Sequence, residues 1–267
     1  MLKDITLGQY FPGNSIAHKL DPRTKILLVT LYIIALFSAK GWMGYAVMAV
    51  TLAACVKVSH VGLRALVRGL KPLVFIIAFT GILNMFFTPD THYLWEWGIL
   101  RVSVKGIENA LFMVIRIMLV MGTFLMTYTT SPIRLTDGLE SLLNPLKKIH
   151  VPVHELAMMM AIALRFIPTL IEETDKIMSA QKARGADFDS GNIFQKAKAL
   201  VPILVPLFIS AFRRADELAT AMECRCYHGG EGRTKLHVLK YQRRDYVALA
   251  GGAVILVLVV ALRRLGA

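Results

Sequence analysis

The chain has 267 residues, 55% of them apolar and only 18% charged, a balance too greasy for a water-facing surface and one that points to a polytopic membrane protein. Thirty-one Lys and Arg against 18 Asp and Glu give +13, an excess that in a membrane protein belongs in short cytoplasmic loops rather than on nucleic acid. Three cysteines, Cys55, Cys224 and Cys226, cannot build the disulfide framework of a secreted scaffold.

No N-terminal signal is visible, because the first apolar run begins at Ile26, after His18, Lys19, Arg23 and Lys25. Residues 26–56 are apolar except at Lys40-Gly41, so they read as two crossings joined by a tight turn. Asp21 before Pro22 predicts an N-cap with proline at the first helical position, starting the first crossing near Arg23. A third crossing runs from Pro72 to about Thr88, a fourth from about Ile107 to Thr129 with Arg116 near its middle, and a fifth from Tyr246 to Leu262. Between the last two lies 131–245, whose apolar patches, Leu156–Leu164 and Leu200–Phe212, are interrupted by Arg165, Pro168, Pro202 and Pro206, a pattern that suits a membrane interface better than a clean span. Ser131-Pro132 repeats the cap-then-proline signature, and Asp187–Asn192 is a turn-rich break between two long helices.

The expected fold class is all-α: a polytopic membrane protein of about five transmembrane helices, with 1–130 holding four of them, 131–245 a cytoplasmic or interfacial helical domain, and 246–267 the last. Lys57, Arg64, Arg68 and Lys71 lie between crossings two and three with no acidic residue among them, which places that loop, the N-terminus and 131–245 inside. The 131–245 stretch itself carries 17 Lys/Arg against 13 Asp/Glu. The loop 89–106 is balanced in charge, as an outside loop can be, whereas Arg263 and Arg264 fall outside against the rule.

The chain has no phosphate-cradling Gly-rich loop, no His-Glu-x-x-His helix and no Gly-x-Ser-x-Gly elbow. It cannot hydrolyse ATP by itself. Cys224-x-Cys226-x-His228 lacks a second ligand pair at zinc spacing, so no metal is expected. Arg116 at membrane depth is costly and should face the bundle interior or a polar partner. A substrate-conducting permease subunit of another transporter, with Arg116 or Arg165 lining a solute path, needs more intramembrane polar residues than these crossings supply. An intramembrane enzyme would need a catalytic pair within the apolar runs, and none is there.

The sharpest signal is internal. Asp175, Ala180 and Arg184 recur 41 residues later as Asp216, Ala221 and Arg225, each set at the end of a long helical pattern. Gly185 can stop the first helix in a left-handed cap, and an arginine at such a tip can reach a carboxylate or carbonyls on a partner as a forked, permanently charged donor. The plain alternative is that each arginine complements its own helix end. Two copies favour a paired docking device for a two-fold or pseudo-two-fold partner.

These residues, with YFPGNSIAHKLDPRTK, TTSP, LRFIPTLIEE, AQKARGADF and RRADELATAMECRCYHGGEGRT in this order, make the chain resemble the transmembrane T component (EcfT) of energy-coupling factor transporters, the vitamin and metal-ion importers of the ABC superfamily. The family shows Ala-Arg-Gly at both tips; here the second reads Cys224-Arg225-Cys226. The resemblance implies two cytoplasmic ABC ATPase subunits, identical or not, each receiving one coupling-helix tip. It also implies a small membrane S component that binds the substrate and is tilted or released when ATP moves the helices of the coupling domain. Ala183, Arg184, Gly185, Cys224, Arg225 and Cys226 would then be the ATPase interface, and Met158, Met159, Leu164 and Leu207 part of the surface for the S component. The resemblance implies no catalytic residue, cofactor or metal, and a multi-pass protein of the bacterial plasma membrane with its N-terminus and coupling domain cytoplasmic.

Overall fold

A computed structural model describes residues 10–62, 66–67, 73–88, 93–97, 100–186, 188, 193–229 and 238–264. They fall into two compact units, one drawn from 7–141 and 239–267 and the other from 142–238.

In the first unit a short α1 (Ile16–Lys19) precedes α2 (Pro22–Ser38). Asp21 caps α2 by accepting the N–H of Arg23 and Pro22 stands in its first turn, as the Asp-Pro pair predicts. Ala39 and Lys40 separate α2 from α3 (Gly41–Ser59), so the tight turn falls where the apolar run is broken. After α4 (Val74–Phe87) the chain forms an antiparallel hairpin, β1 (Tyr93–Trp97) with β2 (Leu100–Ser103), pairing Glu96 with Arg101 and Trp97 with Leu100. This hairpin stands where the sequence alone predicts a loop, 89–106. Ser103 then caps α5 (Val104–Leu119), accepting from the Gly106 N–H at 2.9 Å. A 3-10 turn at Val120–Thr123 carries α5 into α6 (Phe124–Thr129), and α7 (Pro132–Leu143) follows. The chain returns to this unit through α10 (Arg243–Arg264), which packs along α2. A Cβ on Gly252 would lie 2.7 Å from Leu28 Cδ2, so a side chain at that position would require the end of Leu28 to move aside.

Ala35, Leu36, Ala39, Tyr45, Met48, Leu119 and Val259 form the main core of this unit, drawn from α2, α3, α5 and α10. Outward, Phe37, Val50, Phe75, Phe79, Val254 and Val257 are all more than half exposed, as lipid-facing side chains should be in a bundle whose backbone groups are satisfied within its own helices. Four stretches among the described residues are long and apolar enough to cross a membrane: Gly41–Ser59, Val104–Thr129, Val153–Ala183 and Arg243–Arg264, with Val74–Phe86 a shorter apolar helix. The protein is therefore an all-α polytopic membrane protein.

The second unit consists chiefly of α8 (Val153–Ala183) and α9 (Ile193–Glu223), each 31 residues long. Both run without a break, α8 through Pro168 and α9 through Pro202 and Pro206, so these prolines do not interrupt the helices as the sequence predicts. Each interior proline removes one backbone hydrogen bond, and helices of this length keep the bonds on either side. The long apolar stretch of α8 is thus one of the four able to cross a membrane.

Arg116 has found the partner that membrane depth demands. Its Nη2 donates to the Tyr45 hydroxyl at 2.6 Å, and its guanidinium carbon lies 5.7 Å from the Phe37 ring centre and 5.8 Å from that of Tyr45. Removing the acceptor while keeping the charge should cost about 1.5–3 kcal/mol. Replacing the arginine by an apolar side chain removes the charge and its demand together. Tyr45→Phe is therefore expected to lower the melting temperature of the purified protein more than Arg116→Met does. The reverse order would show that the pair is not what satisfies Arg116.

Candidate functional site

The two candidate tips end their helices in the same way, hydrogen bond for hydrogen bond. At the first, the Gly185 N–H donates to Lys182 O at 3.0 Å and the Ala186 N–H reaches back to Gln181 O at 3.0 Å. At the second, the Cys226 N–H donates to Glu223 O at 2.8 Å and the Tyr227 N–H to Met222 O at 3.1 Å. Each is a Schellman ending, with the left-handed residue just past the arginine. Gly185 has φ +87° and Cys226 φ +56°. Cys226 thus occupies the conformation that glycine usually fills, which keeps the helix stop without the residue best suited to it. The signal for this was available in the repeat, since 185 and 226 are also 41 residues apart.

Ala183, Arg184, Gly185, Cys224, Arg225 and Cys226 are all exposed. Among the described residues neither the Arg184 nor the Arg225 guanidinium has a hydrogen-bond or ion-pair partner. Both side chains are available to something outside the chain.

α8 and α9 pack antiparallel. Gln181 near the end of α8 donates to Pro202 O in the first half of α9, and Glu173 meets Arg214 farther along, Oε2 to Nη2 at 3.0 Å. Ile162 and Phe166 line a groove with Ala211, Ala215, Leu218, Ala219 and Met222, closed by Glu223 and Tyr227. Glu173 and Arg214 are themselves 41 residues apart. The pair of helices therefore crosses where the repeat maps one helix onto the other, and a pseudo-two-fold axis through this ion pair exchanges the two tips. At 1.5 Å per residue each tip stands about 16 Å from the crossing, on opposite sides of it. Asp187–Asn192, the predicted break between the helices, lies almost wholly outside the described residues.

Around the crossing the helices leave much apolar surface bare. Leu156, Met159 and Met160 on α8 and Leu200, Val201, Leu204, Val205, Phe208, Ile209 and Phe212 on α9 are exposed. Of the residues picked from sequence, Met159 belongs to this surface, whereas Met158, Leu164 and Leu207 are half-buried. Phe208 and Phe212 fall within the apolar patch that the sequence marks at Leu200–Phe212 but are not singled out there, because which side of an all-round apolar stretch faces outward depends on where the other helix packs.

A family profile described as cobalt transport protein (CbiQ) matches residues 13–236. A curated relative from Ruminiclostridium cellulolyticum, energy-coupling factor transporter transmembrane protein EcfT, is 54% identical over 246 residues, covering 92% of this chain and 92% of the relative. The protein of the same name from Clostridium kluyveri is 56% identical over 250 residues, 93% of each chain. That from Bacillus subtilis is 46% identical over 264 residues, 98% of this chain and 100% of the relative.

The left-handed residues give the tips a local test. Gly185→Ala should weaken the first helix end by about 1 kcal/mol, speeding hydrogen exchange at the Ala186 amide about fivefold, whereas Cys226→Gly should relieve strain and slow exchange at Tyr227. Unchanged exchange at both amides would mean that these endings do not hold in solution.

Proposed function

The chain belongs to the EcfT family of energy-coupling factor transporter transmembrane proteins, and from that premise we propose that it joins two cytoplasmic ABC ATPase subunits through the Arg184 and Arg225 tips and passes their ATP-driven motion to a small substrate-binding S component. The observation that carries this reading is the pair of exposed, unpartnered arginines related by a pseudo-two-fold axis, a geometry suited to a dimeric ATPase that offers the same groove twice. Ala183 and Gly185 shape the first tip, Cys224 and Cys226 the second. Chemistry on ATP belongs to the partner subunits, and this chain carries force without catalysis. The bare apolar surface on α8 and α9, with Met159 at one end and Met158, Leu164 and Leu207 along its margin, forms the track for the S component, and methionine suits a surface that repacks against different partners. The substrate is a vitamin or other micronutrient, held by the S component.

The protein is a multi-pass membrane protein of the transport machinery, and the basic loop between α3 and α4 supports an orientation in which the N-terminus and the coupling domain 131–245 face the cytoplasm. A cysteine introduced at Gly191 should resist an impermeant maleimide added to intact cells and react after permeabilisation. Ready labelling from outside would reverse the topology.

Truncating a buried interfacial arginine leaves its partner group unpaired and costs roughly 2–5 kcal/mol. Arg184→Ala and Arg225→Ala should each leave one ATPase attached and lower ATP-driven uptake sharply in reconstituted vesicles, and the double variant should lose both subunits. If the arginines only complement their helix ends, each costs at most about 1 kcal/mol of local stability and assembly persists. Wild-type stoichiometry and uptake in the double variant would sink the coupling assignment.

A further inference from the structure

The chain leaves the membrane unit after Ser141 and re-enters it at Leu239. Both ends of that excursion are held by one side chain. Arg23 Nη1 donates to Ser141 Oγ at 3.1 Å, in the last turn of α7. The guanidinium carbon lies 4.1 Å from the ring centre of Tyr241, two residues past the point of return. The remaining nitrogens fork onto Asp21, Nε to Oδ1 at 3.1 Å and Nη2 to Oδ2 at 3.1 Å.

Behind this fork is a second carboxylate. Asp245, 1% exposed, accepts the Asp21 N–H on Oδ1 and the Gln242 N–H on Oδ2, each at 2.8 Å, so it caps the start of α10 and fastens it to the start of α2 at once. Two residues along α2 from Arg23, the buried Lys25 ammonium donates to Thr129 O at 2.9 Å and Thr130 Oγ1 at 2.8 Å, where α6 gives way to α7. Carbonyls at a helix C-terminus are a favourable seat for a cation.

Capping does not explain the whole arrangement. Asp21 alone caps α2 and Asp245 alone caps α10, so neither cap needs Arg23 to reach Ser141 or to lie on Tyr241. A bidentate guanidinium–carboxylate fork is geometrically stiff, and stacking over an aromatic face adds attraction without a second anion. What results is a stiff bracket across the two places where the coupling unit is tied to the membrane helices. Resting on the coupling role proposed above, we propose that Arg23, forked onto Asp21 whose backbone Asp245 fastens, is the joint that converts movement of the coupling unit into movement of α2 and α10 through Ser141 and Tyr241. The contacts of Arg23 are to Asp21, Ser141 and Tyr241 of this chain. It is a positioning residue for transport.

The test uses the complete complex, this chain with its ATPase subunits and the S component that co-purifies with it, in lipid nanodiscs. Two quantities are read: the ATPase rate, and the fraction of the S component released on adding magnesium-ATP. Ser141→Ala/Tyr241→Ala removes both outward contacts of Arg23 and leaves the Asp21–Asp245 caps intact. The expected result is an ATPase rate within about twofold of wild type and an ATP-triggered release reduced about fivefold or more, while Tyr241→Phe, which keeps the ring face, stays near wild type. A purely structural cluster would move assembly and melting temperature and leave release per ATP hydrolysed unchanged.

Wild-type release per ATP in the double variant would overturn the joint. So would a parallel fall in ATPase activity and release, or failure of Ser141→Ala alone to assemble, since either makes the cluster a folding element. A Tyr241→Phe variant as impaired as Tyr241→Ala would remove the stacked contact from the argument and overturn the joint as drawn. The wild-type complex separates the two levels: if it binds no ATPase, the coupling role itself fails, and if it couples normally while the variants do too, only the joint fails.

Discussion

Everything that gives the coupling unit two equivalent ends depends on where α8 and α9 cross. An ion pair as exposed as Glu173–Arg214, with side chains 26% and 36% accessible, contributes little energy in itself. Its value is register. Sliding one helix along the other by a turn would change the separation of the two tips by about 5 Å, so the register sets how far apart the arginines stand. Beside the ion pair Ile162 and Phe166 line an open apolar groove with Ala211, Ala215, Leu218, Ala219 and Met222.

The membrane unit solves a different problem, that of polar groups in a bundle whose outer surface is apolar. Lys25 is seated among the carbonyl and hydroxyls at the end of α6, Asp245 accepts two backbone N–H groups, and Arg116 reaches Tyr45. Each charge is answered by neutral dipoles or by another helix's end, a solution that avoids stranding a countercharge in lipid. A solute-conducting path would ask the opposite of Arg116, an open face toward a channel.

Local chemistry made much of this legible in the sequence. Asp21-Pro22 announced the start of α2, Lys40-Gly41 the turn before α3, and the repeat the position of both arginines, because each depends on residues a few places apart. What escaped depended on residues far apart. The bond from the Asp21 N–H to Asp245 spans 224 positions, and nothing in either neighbourhood foretells it. The uninterrupted course of α8 and α9 through three prolines was hidden for a related reason: a proline's cost is local, while the packing that outweighs it is supplied by another helix. At Cys226, where the family pattern has glycine, the backbone follows the left-handed geometry of its repeat-mate, Gly185. The hydrogen bonds of the ending, and not the residue's own preference, decide that φ.

The meeting of both chain crossings on Arg23 has an evolutionary side. An inserted segment is tolerated when its two ends emerge close together, since the host then folds around a narrow neck rather than a long breach. Residues 142–238 are such an insertion, with the last turn of α7 and the approach to α10 gathered at one guanidinium. A lineage could exchange that helical pair for another of different tip chemistry, and so adopt a new ATPase, without redesigning the membrane bundle. The neck then becomes the part of the protein least free to vary.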